Sequence, residues 1–127
     1  MQAAGYETYR RIQTETSSPA ELILLLYDAL LNDLEAAHDG LARRDFEAAH
    51  RPLLRAQDIV LELIASLDMD AGDIARQLAP LYEYQYQRLL EASVQKDASA
   101  VAEVSRLVTP LRNAWAHAVQ TVQAGRA

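Results

Sequence analysis

The chain has 127 residues, half of them hydrophobic, and its 23 Ala and 19 Leu far outnumber its 12 Val and Ile, which favours helices over sheets. The absence of Cys excludes disulfides, thiol catalysis and Cys-ligated zinc, and the net charge of −6 argues against nucleic acid and anionic lipid as main partners. The longest apolar run, residues 22–27, is too short to span a bilayer, and the N-terminal residues lack the apolar region of a secretory signal. We therefore expect one soluble, cytoplasmic, all-α domain.

Residues 1–17 form a polar N-terminal arm, in which the large apolar side chains are Tyr6, Tyr9 and Ile12. Such a segment is disordered in isolation. If it is ordered, as an arm or a short cap helix, Tyr6 and Tyr9 share one side and must dock on an apolar surface elsewhere. We therefore divide the chain into an arm, residues 1–17, and a helical bundle domain, residues 18–127.

A capping box marks the start of the first helix. Ser18 can cap the helix, Pro19 suits its first position, and Glu21 stands three residues after the cap. The helix is predicted to run to about His38 and to end before Gly40.

Three more helices follow at short intervals. Asp45 is the predicted cap of the second, which runs to about Leu67, and residues 68–73 form a turn. The third is predicted to run to about Ser93, and Asp97 caps the fourth. Four helices of about twenty residues joined by short turns predict an antiparallel four-helix bundle.

Apolar residues spaced three and four apart predict the buried face of each helix. These faces are Leu22, Ile23, Leu26, Leu30, Leu34 and Ala37; Ala49, Leu53, Ala56, Val60, Leu63, Ile64 and Leu67; Ile74, Leu78, Leu81, Tyr82, Leu89 and Ala92; and Val101, Val104, Val108, Leu111, Trp115, Ala118 and Val122.

Three prolines fall well inside the predicted helices, at Pro52, Pro80 and Pro110. Each removes a backbone hydrogen bond, at a cost of about 3 kcal/mol in a helix interior. The apolar period continues across all three, so we expect kinked but unbroken helices.

The first two helices carry more apolar surface than one core needs. Leu24 and Leu31 lie off the main stripe of the first helix, and Leu54 and Leu61 lie off that of the second, beside Asp58. Two interpretations remain open: a short bundle that wraps its core deeply or forms a structural homodimer, or a groove for an amphipathic partner helix. On the third helix Tyr82 and Tyr86 share a side and add to the groove candidates, because Tyr is frequent at binding surfaces.

Two Glu-x-x-His motifs, at Glu35 and His38 and at Glu47 and His50, are typical of di-iron bundles. All four residues lie off the core stripes, which favours solvated helix ends, although a di-iron type metal protein stays as an alternative function. The sequence lacks a recognisable calcium loop, nucleophilic triad or phosphate-binding loop. We therefore predict a non-enzymatic protein without cofactors.

Five segments form an ordered pattern over nearly the whole chain. They are Tyr6-x-x-Tyr9; Ser18-Pro19-Ala20-Glu21-Leu22-Ile23 with Leu26-Tyr27-Asp28; Ala56-Gln57-Asp58-Ile59-Val60-Leu61-Glu62-Leu63 with Leu67-Asp68; Leu81-Tyr82-x-Tyr84-x-Tyr86-x-Arg88-Leu89; and Leu111-Arg112-x-Ala114-Trp115. In residues, order and spacing the chain resembles the FliS family of bacterial flagellar secretion chaperones. The three internal prolines depart from the family's pattern.

The resemblance implies a helical bundle that binds the disordered C-terminal segment of flagellin in helical form. It implies that binding blocks premature polymerisation in the cytosol and that the chaperone delivers flagellin to a component of the flagellar export gate. It also implies that the arm around Tyr6 and Tyr9 covers part of the groove when flagellin is absent. The residues we expect in the groove are Leu24, Leu31, Leu54, Asp58, Leu61, Tyr82 and Tyr86.

Overall fold

The computed structural model describes residues 18–70 and 72–126, which form four helices and no strand. The helices are α1 (Pro19–Ala42), α2 (Phe46–Ala65), α3 (Asp73–Gln95) and α4 (Ala98–Arg126). Short turns join them, so consecutive helices run antiparallel. The predicted all-α bundle is confirmed, whereas Tyr6 and Tyr9 of the predicted arm lie outside the described residues.

The helices form a ring in chain order. α1 packs against α2 and α4, and α3 packs against the same two helices. Each helix therefore has two neighbours and faces the fourth across a core of aliphatic side chains. The largest fully buried aliphatic residues are Leu30, Leu34, Ile59, Val60, Leu63, Leu89, Val101, Val104 and Val108.

The predicted capping box starts α1. The Glu21 amide donates to Ser18 Oγ (3.2 Å), and the Ser18 amide donates to Glu21 Oε1 (3.2 Å). Asp45 caps α2 in a similar way, because its Oδ1 accepts from the Ala48 amide at 3.1 Å. Both starts were predictable because capping depends on residues within one helical turn.

α1 does not end at His38 as predicted but continues through Gly40 to Ala42. Gly40 is buried, and a Cβ placed there would lie 2.9 Å from both the Cβ and the backbone nitrogen of Ala49 on α2. The glycine therefore permits a close helix crossing and does not form a turn. The prediction that Gly40 lies near the end of the first helix was correct, but the prediction that the helix stops before it was wrong.

α3 begins and ends near its predicted limits, and α4 begins near its predicted start. α3 starts after Gly72, whose φ of +140° suits glycine, and runs two residues past Ser93. Lys96 then adopts the left-handed conformation with φ of +56°. Asp97 Oδ1 accepts from the Ser99 amide at 2.9 Å, at the start of α4.

Helical structure continues across Pro52, Pro80 and Pro110, as the unbroken apolar period predicted. Pro52 is buried, whereas Pro80 and Pro110 are exposed.

The predicted core faces are correct for α1 and α2 and partly wrong for α3 and α4. On α3, Ile74 (71% exposed) and Leu81 (45%) face solvent. On α4 the buried residue near the C-terminal end is Val119, while Ala118 and Val122 are exposed. Apolar periodicity predicts which residues of a helix share one side. It does not predict how far the neighbouring helices cover that side.

Candidate partner-binding surfaces

One flank of α1 lies beside α4. Ala20, Leu24, Asp28 and Leu31 follow one another at spacings of four, four and three residues, which places them on one side of the helix. The Ala20 carbonyl accepts from Nε1 of Trp115 at 2.7 Å, and Oδ1 of Asp28 accepts from Nε of Arg112 at 2.7 Å.

Both donors belong to α4, so Leu24 and Leu31 lie along the junction of α1 with α4. Their side chains are half-buried. We call these two residues the α1/α4 surface.

A second flank, on α2, lies beside α3. Leu54, Gln57 and Leu61 share one side, and Gln57 Nε2 donates to the Leu89 carbonyl of α3 at 3.3 Å. Gln57 is buried, Leu54 is half-buried and Leu61 is 44% exposed. We call Leu54 and Leu61 the α2/α3 surface.

Asp58 follows Gln57 on α2 and is half-buried. Burial raises the pKa of its carboxyl group, because desolvation disfavours the charged form. It is therefore a polar group at the edge of an apolar region, able to accept a hydrogen bond from a partner.

The seven residues expected in one groove are not brought together. Because the helices form a ring, the α1/α4 and α2/α3 surfaces lie on opposite sides of the bundle. The sequence pattern identifies which leucines are surplus to the core, but the side of the bundle on which each lies depends on the ring order.

Tyr82, which we expected in the groove, is a core residue, since its side chain is 2% exposed. Its hydroxyl forms a hydrogen bond with the hydroxyl of Tyr27 on α1, across the centre of the bundle. Burial raises the pKa of both tyrosines. Tyr86 is half-buried and packs against the same core from its edge.

A polar network that no sequence pattern indicated joins α3 to α4. Tyr84 Oη donates to Glu103 Oε2 at 2.5 Å, and Arg88 donates to both Glu103 (2.7 Å) and Glu91 (2.6 Å). The hydrogen bonds from Tyr84 and Arg88 lower the pKa of Glu103. Only the Arg88–Glu91 spacing was visible in the sequence, because Glu103 lies on another helix.

Beside this network lies a third apolar strip. Leu81 precedes Tyr84 by three residues, Leu107 follows Glu103 by four, and Ile74 lies two turns before Leu81. Their exposed fractions are 71% for Ile74, 45% for Leu81 and 37% for Leu107. We call these residues the α3/α4 surface.

The two Glu-x-x-His motifs do not assemble into a metal site. Within residues 18–70 and 72–126 no three His, Asp or Glu side chains are grouped so that they could hold a metal ion. The structure thus offers the di-iron alternative no ligand set in this part of the chain. In the same part, no helix is long and apolar enough to cross a membrane.

A family model described as "Flagellar protein FliS" matches residues 1–122. The chain belongs to the FliS family.

Curated FliS relatives match along most of their own length. The Bacillus subtilis (strain 168) protein named "Flagellar secretion chaperone FliS" is 31% identical over 121 residues, covering 95% of this chain and 90% of its own. The protein of the same name from Salmonella typhimurium is 34% identical over 119 residues, covering 89% and 88%. "Flagellar secretion chaperone FliSB" of Pseudomonas aeruginosa is 32% identical over 104 residues, covering 81% and 82%. The family is thus one of flagellar secretion chaperones, which is not an enzyme class.

Proposed function

We propose that this chain is a cytosolic export chaperone for flagellin. It binds the disordered C-terminal segment of flagellin, prevents premature polymerisation and delivers the client to a component of the flagellar type III export gate. The observation that carries this proposal is the match to the FliS family over residues 1–122. The half-exposed leucines along the sides of the bundle support it, because a folding client needs apolar surface to contact.

The client segment contacts the α1/α4 and α2/α3 surfaces as amphipathic helices joined by a crossing stretch. A partner that touches both surfaces must pass around the bundle, because they lie on opposite sides. The α3/α4 surface adds apolar area between them. Burying the exposed part of a leucine such as Leu61 contributes on the order of 1 kcal/mol, and several such contacts offset part of the cost of ordering the client.

Polar groups at the edges of these surfaces fix the client's position. Asp58 accepts a hydrogen bond from the client beside the α2/α3 surface, and Tyr86 adds amphipathic contact area. Tyr82 contributes indirectly, as a core residue that holds α3 against α1.

Residues 1–17 act as an arm attached to the bundle domain of residues 18–127. In the absence of client, Tyr6 and Tyr9 cover part of the apolar surface. Release of the arm then accompanies client binding, so the arm lowers the apparent affinity without contributing to the bound state.

Gel filtration with full-length flagellin and with flagellin lacking its C-terminal segment tests the proposal. We expect co-elution with the first and separate elution of the second. A peptide of the C-terminal segment should gain helicity on mixing, measured by circular dichroism, and a chain lacking residues 1–12 should bind it at least as tightly. Absence of binding at tens of micromolar peptide would contradict the proposal, and a concentration-dependent size without flagellin would favour the structural homodimer.

A further inference from the structure

The α1/α4 and α2/α3 surfaces are built on the same sequence pattern. Each contains a leucine, an aspartate four positions later and a second leucine three positions after the aspartate: Leu24, Asp28 and Leu31 on α1, and Leu54, Asp58 and Leu61 on α2. These spacings place the three side chains of each set on one side of their helix, with the carboxylate between the leucines.

An approximate two-fold rotation relates the two surfaces. Because the helices form a ring of antiparallel neighbours, a half-turn about an axis perpendicular to them, between α1 and α2, exchanges α1 with α2 and α4 with α3. The Asp33–Arg55 ion pair (3.2 Å) fixes the heights of α1 and α2 relative to each other. Asp28 lies five residues before Asp33 and Asp58 lies three residues after Arg55, so the two aspartates differ in height by about 3 Å. The client therefore meets two comparable sites on opposite sides of the bundle.

The two aspartates differ in their charged partners. Oδ1 of Asp28 accepts from Nε of Arg112 at 2.7 Å, so a cation of α4 neutralises this carboxylate. Among the residues that the structure describes, no Lys, Arg or His nitrogen lies within 4 Å of the Asp58 carboxylate. The two arginines of α3, Arg76 and Arg88, pair with carboxylates of α3 and α4 instead.

A client helix that covers either surface removes water from the carboxylate between the leucines. Asp58 is half-buried, and the loss of its remaining hydration is costly unless the client supplies a compensating charge. A Lys or Arg of the client supplies that charge while the apolar residues on either side of it pack on Leu54 and Leu61. At Asp28 the charge is already compensated, and Arg112 repels a second cation.

We propose that Asp58 and Arg112 determine which segment of the client each surface binds, an inference that rests on the proposed function. The α2/α3 surface binds an amphipathic helix that carries a Lys or Arg between two large apolar residues. The α1/α4 surface binds a helix with an uncharged residue at the corresponding place. The two surfaces therefore select different segments although they share one sequence pattern.

Two helical peptides test this specificity on the full chain labelled with ¹⁵N. Both are capped, Ala-rich and about 16 residues long, with two leucines about two turns apart; between the leucines, on the same side, one has lysine and the other glutamine. We expect the lysine peptide at millimolar concentration to shift the amide signals of Leu54 and Leu61, and the shifts to weaken as salt is raised. The glutamine peptide should bind this surface at least about tenfold more weakly, because a hydrogen bond between charged groups is lost.

Two variants should change the binding of the lysine peptide in opposite directions. Asp58→Asn should weaken its binding to the α2/α3 surface at least about tenfold, to the level of the glutamine peptide. Arg112→Gln frees Asp28 from its cation, so the lysine peptide should now also shift the amide signals of Leu24 and Leu31. The second effect is a gain of binding, which a loss of folding cannot produce.

Glu35→Gln is the matched control, because it removes one negative charge, as Asp58→Asn does. Glu35 is exposed on α1, one turn after Leu31 and so outside the pair of leucines. Its substitution should leave the binding of the lysine peptide to the α2/α3 surface unchanged. Equal binding of the two peptides, equal binding by Asp58→Asn, or no new shifts in Arg112→Gln would each overturn the proposal.

The flagellin C-terminal peptide separates this inference from the proposed function. Asp58→Asn should weaken its binding at least about tenfold. Unchanged affinity in this variant, with normal co-elution of flagellin and the unmodified chain, would overturn the inference and leave the proposed function standing. Absence of co-elution with the unmodified chain would overturn both.

Discussion

A pair of hydroxyl groups connects α1 to α3, which face each other across the core. Tyr27 and Tyr82 are each 2% exposed and hydrogen-bonded to one another. Replacing Tyr82 with Phe leaves the Tyr27 hydroxyl buried without this partner, which costs about 1–3 kcal/mol. We therefore expect Tyr82→Phe to lower the free energy of unfolding by that amount, measured by urea denaturation.

The double variant Tyr27→Phe/Tyr82→Phe is the control. It removes both polar groups, so we expect it to be more stable than the sum of the single changes by about 1–2 kcal/mol. Additive losses would show that the pair is not coupled.

The Tyr27–Tyr82 pair should also make the stability of the fold depend on pH in the alkaline range. Burial raises both pKa values above the unfolded value near 10, so the folded state favours the neutral form. Stability is then fully present below about pH 10 and falls as pH rises above it. The double Phe variant should lose less stability over this range.

At the scale of a residue, the sequence predicts what its immediate neighbours determine. The caps at Ser18 and Asp45 follow from side chains within one turn, and the structure contains both. The depth of Tyr82 does not follow, because an amphipathic residue suits both a core and a binding surface. Its position depends on Tyr27, 55 residues away in the chain.

At the scale of an element, the crossing of α1 and α2 depends on Gly40. A methyl group there would meet Ala49 at 2.9 Å, including its backbone nitrogen, which cannot move without shifting the helix. Overpacking of this kind costs about 1–3 kcal/mol, against a gain of about 1 kcal/mol in helix propensity. We expect Gly40→Ala to destabilise the bundle by up to about 2 kcal/mol on balance, measured by denaturant unfolding.

Gly125→Ala is the matched substitution on α4, where nothing lies within 4 Å of the added carbon. It gains propensity without a clash, so its stability should be unchanged or slightly higher. A Gly40→Ala variant as stable as Gly125→Ala would mean that the helices separate without loss of packing.

The continuity of the helices across their prolines was more predictable than the residues at which the helices end. Apolar periodicity continues across Pro52, Pro80 and Pro110, and the helices do too. The end of α1 was predicted four residues early because Gly in the last turn usually stops a helix. Here the approach of α2 supplies a different reason for the glycine, and that reason is visible only in the tertiary structure.

At the scale of the whole molecule, the sequence identifies leucines that are surplus to the core but not how they are arranged around the bundle. Leu24 and Leu61 were both identified as surplus to the core, and both have partly exposed side chains. Their separation follows from α1 and α3 sharing the neighbours α2 and α4. Apolar periodicity tells which residues of one helix share a side. Only the packing of the helices tells which sides of two different helices lie next to each other.

If the client passes around the bundle, substitutions on both of its sides should weaken binding. If the client lay in one groove, substitutions on only one side would do so. Leu24→Asp places a charge on the α1/α4 surface, and Leu61→Asp places one on the α2/α3 surface. Each should weaken binding of the flagellin C-terminal peptide at least about tenfold, because an apolar contact is lost and a charge is desolvated. The two sites share no neighbours, so the double variant should lose about a hundredfold, measured by titration calorimetry.

Leu25→Asp is the matched control. Leu25, Ala29 and Asp33 follow one another at spacings of four, and Asp33 pairs with Arg55 of α2 at 3.2 Å, so Leu25 lies on another flank of α1. Leu25 is 40% exposed, close to the 44% of Leu61, so its substitution should cost as little stability and leave binding unchanged. If either Leu24→Asp or Leu61→Asp bound like the unmodified chain while its unfolding was unchanged, the client would occupy one side only, and the path around the bundle would be wrong.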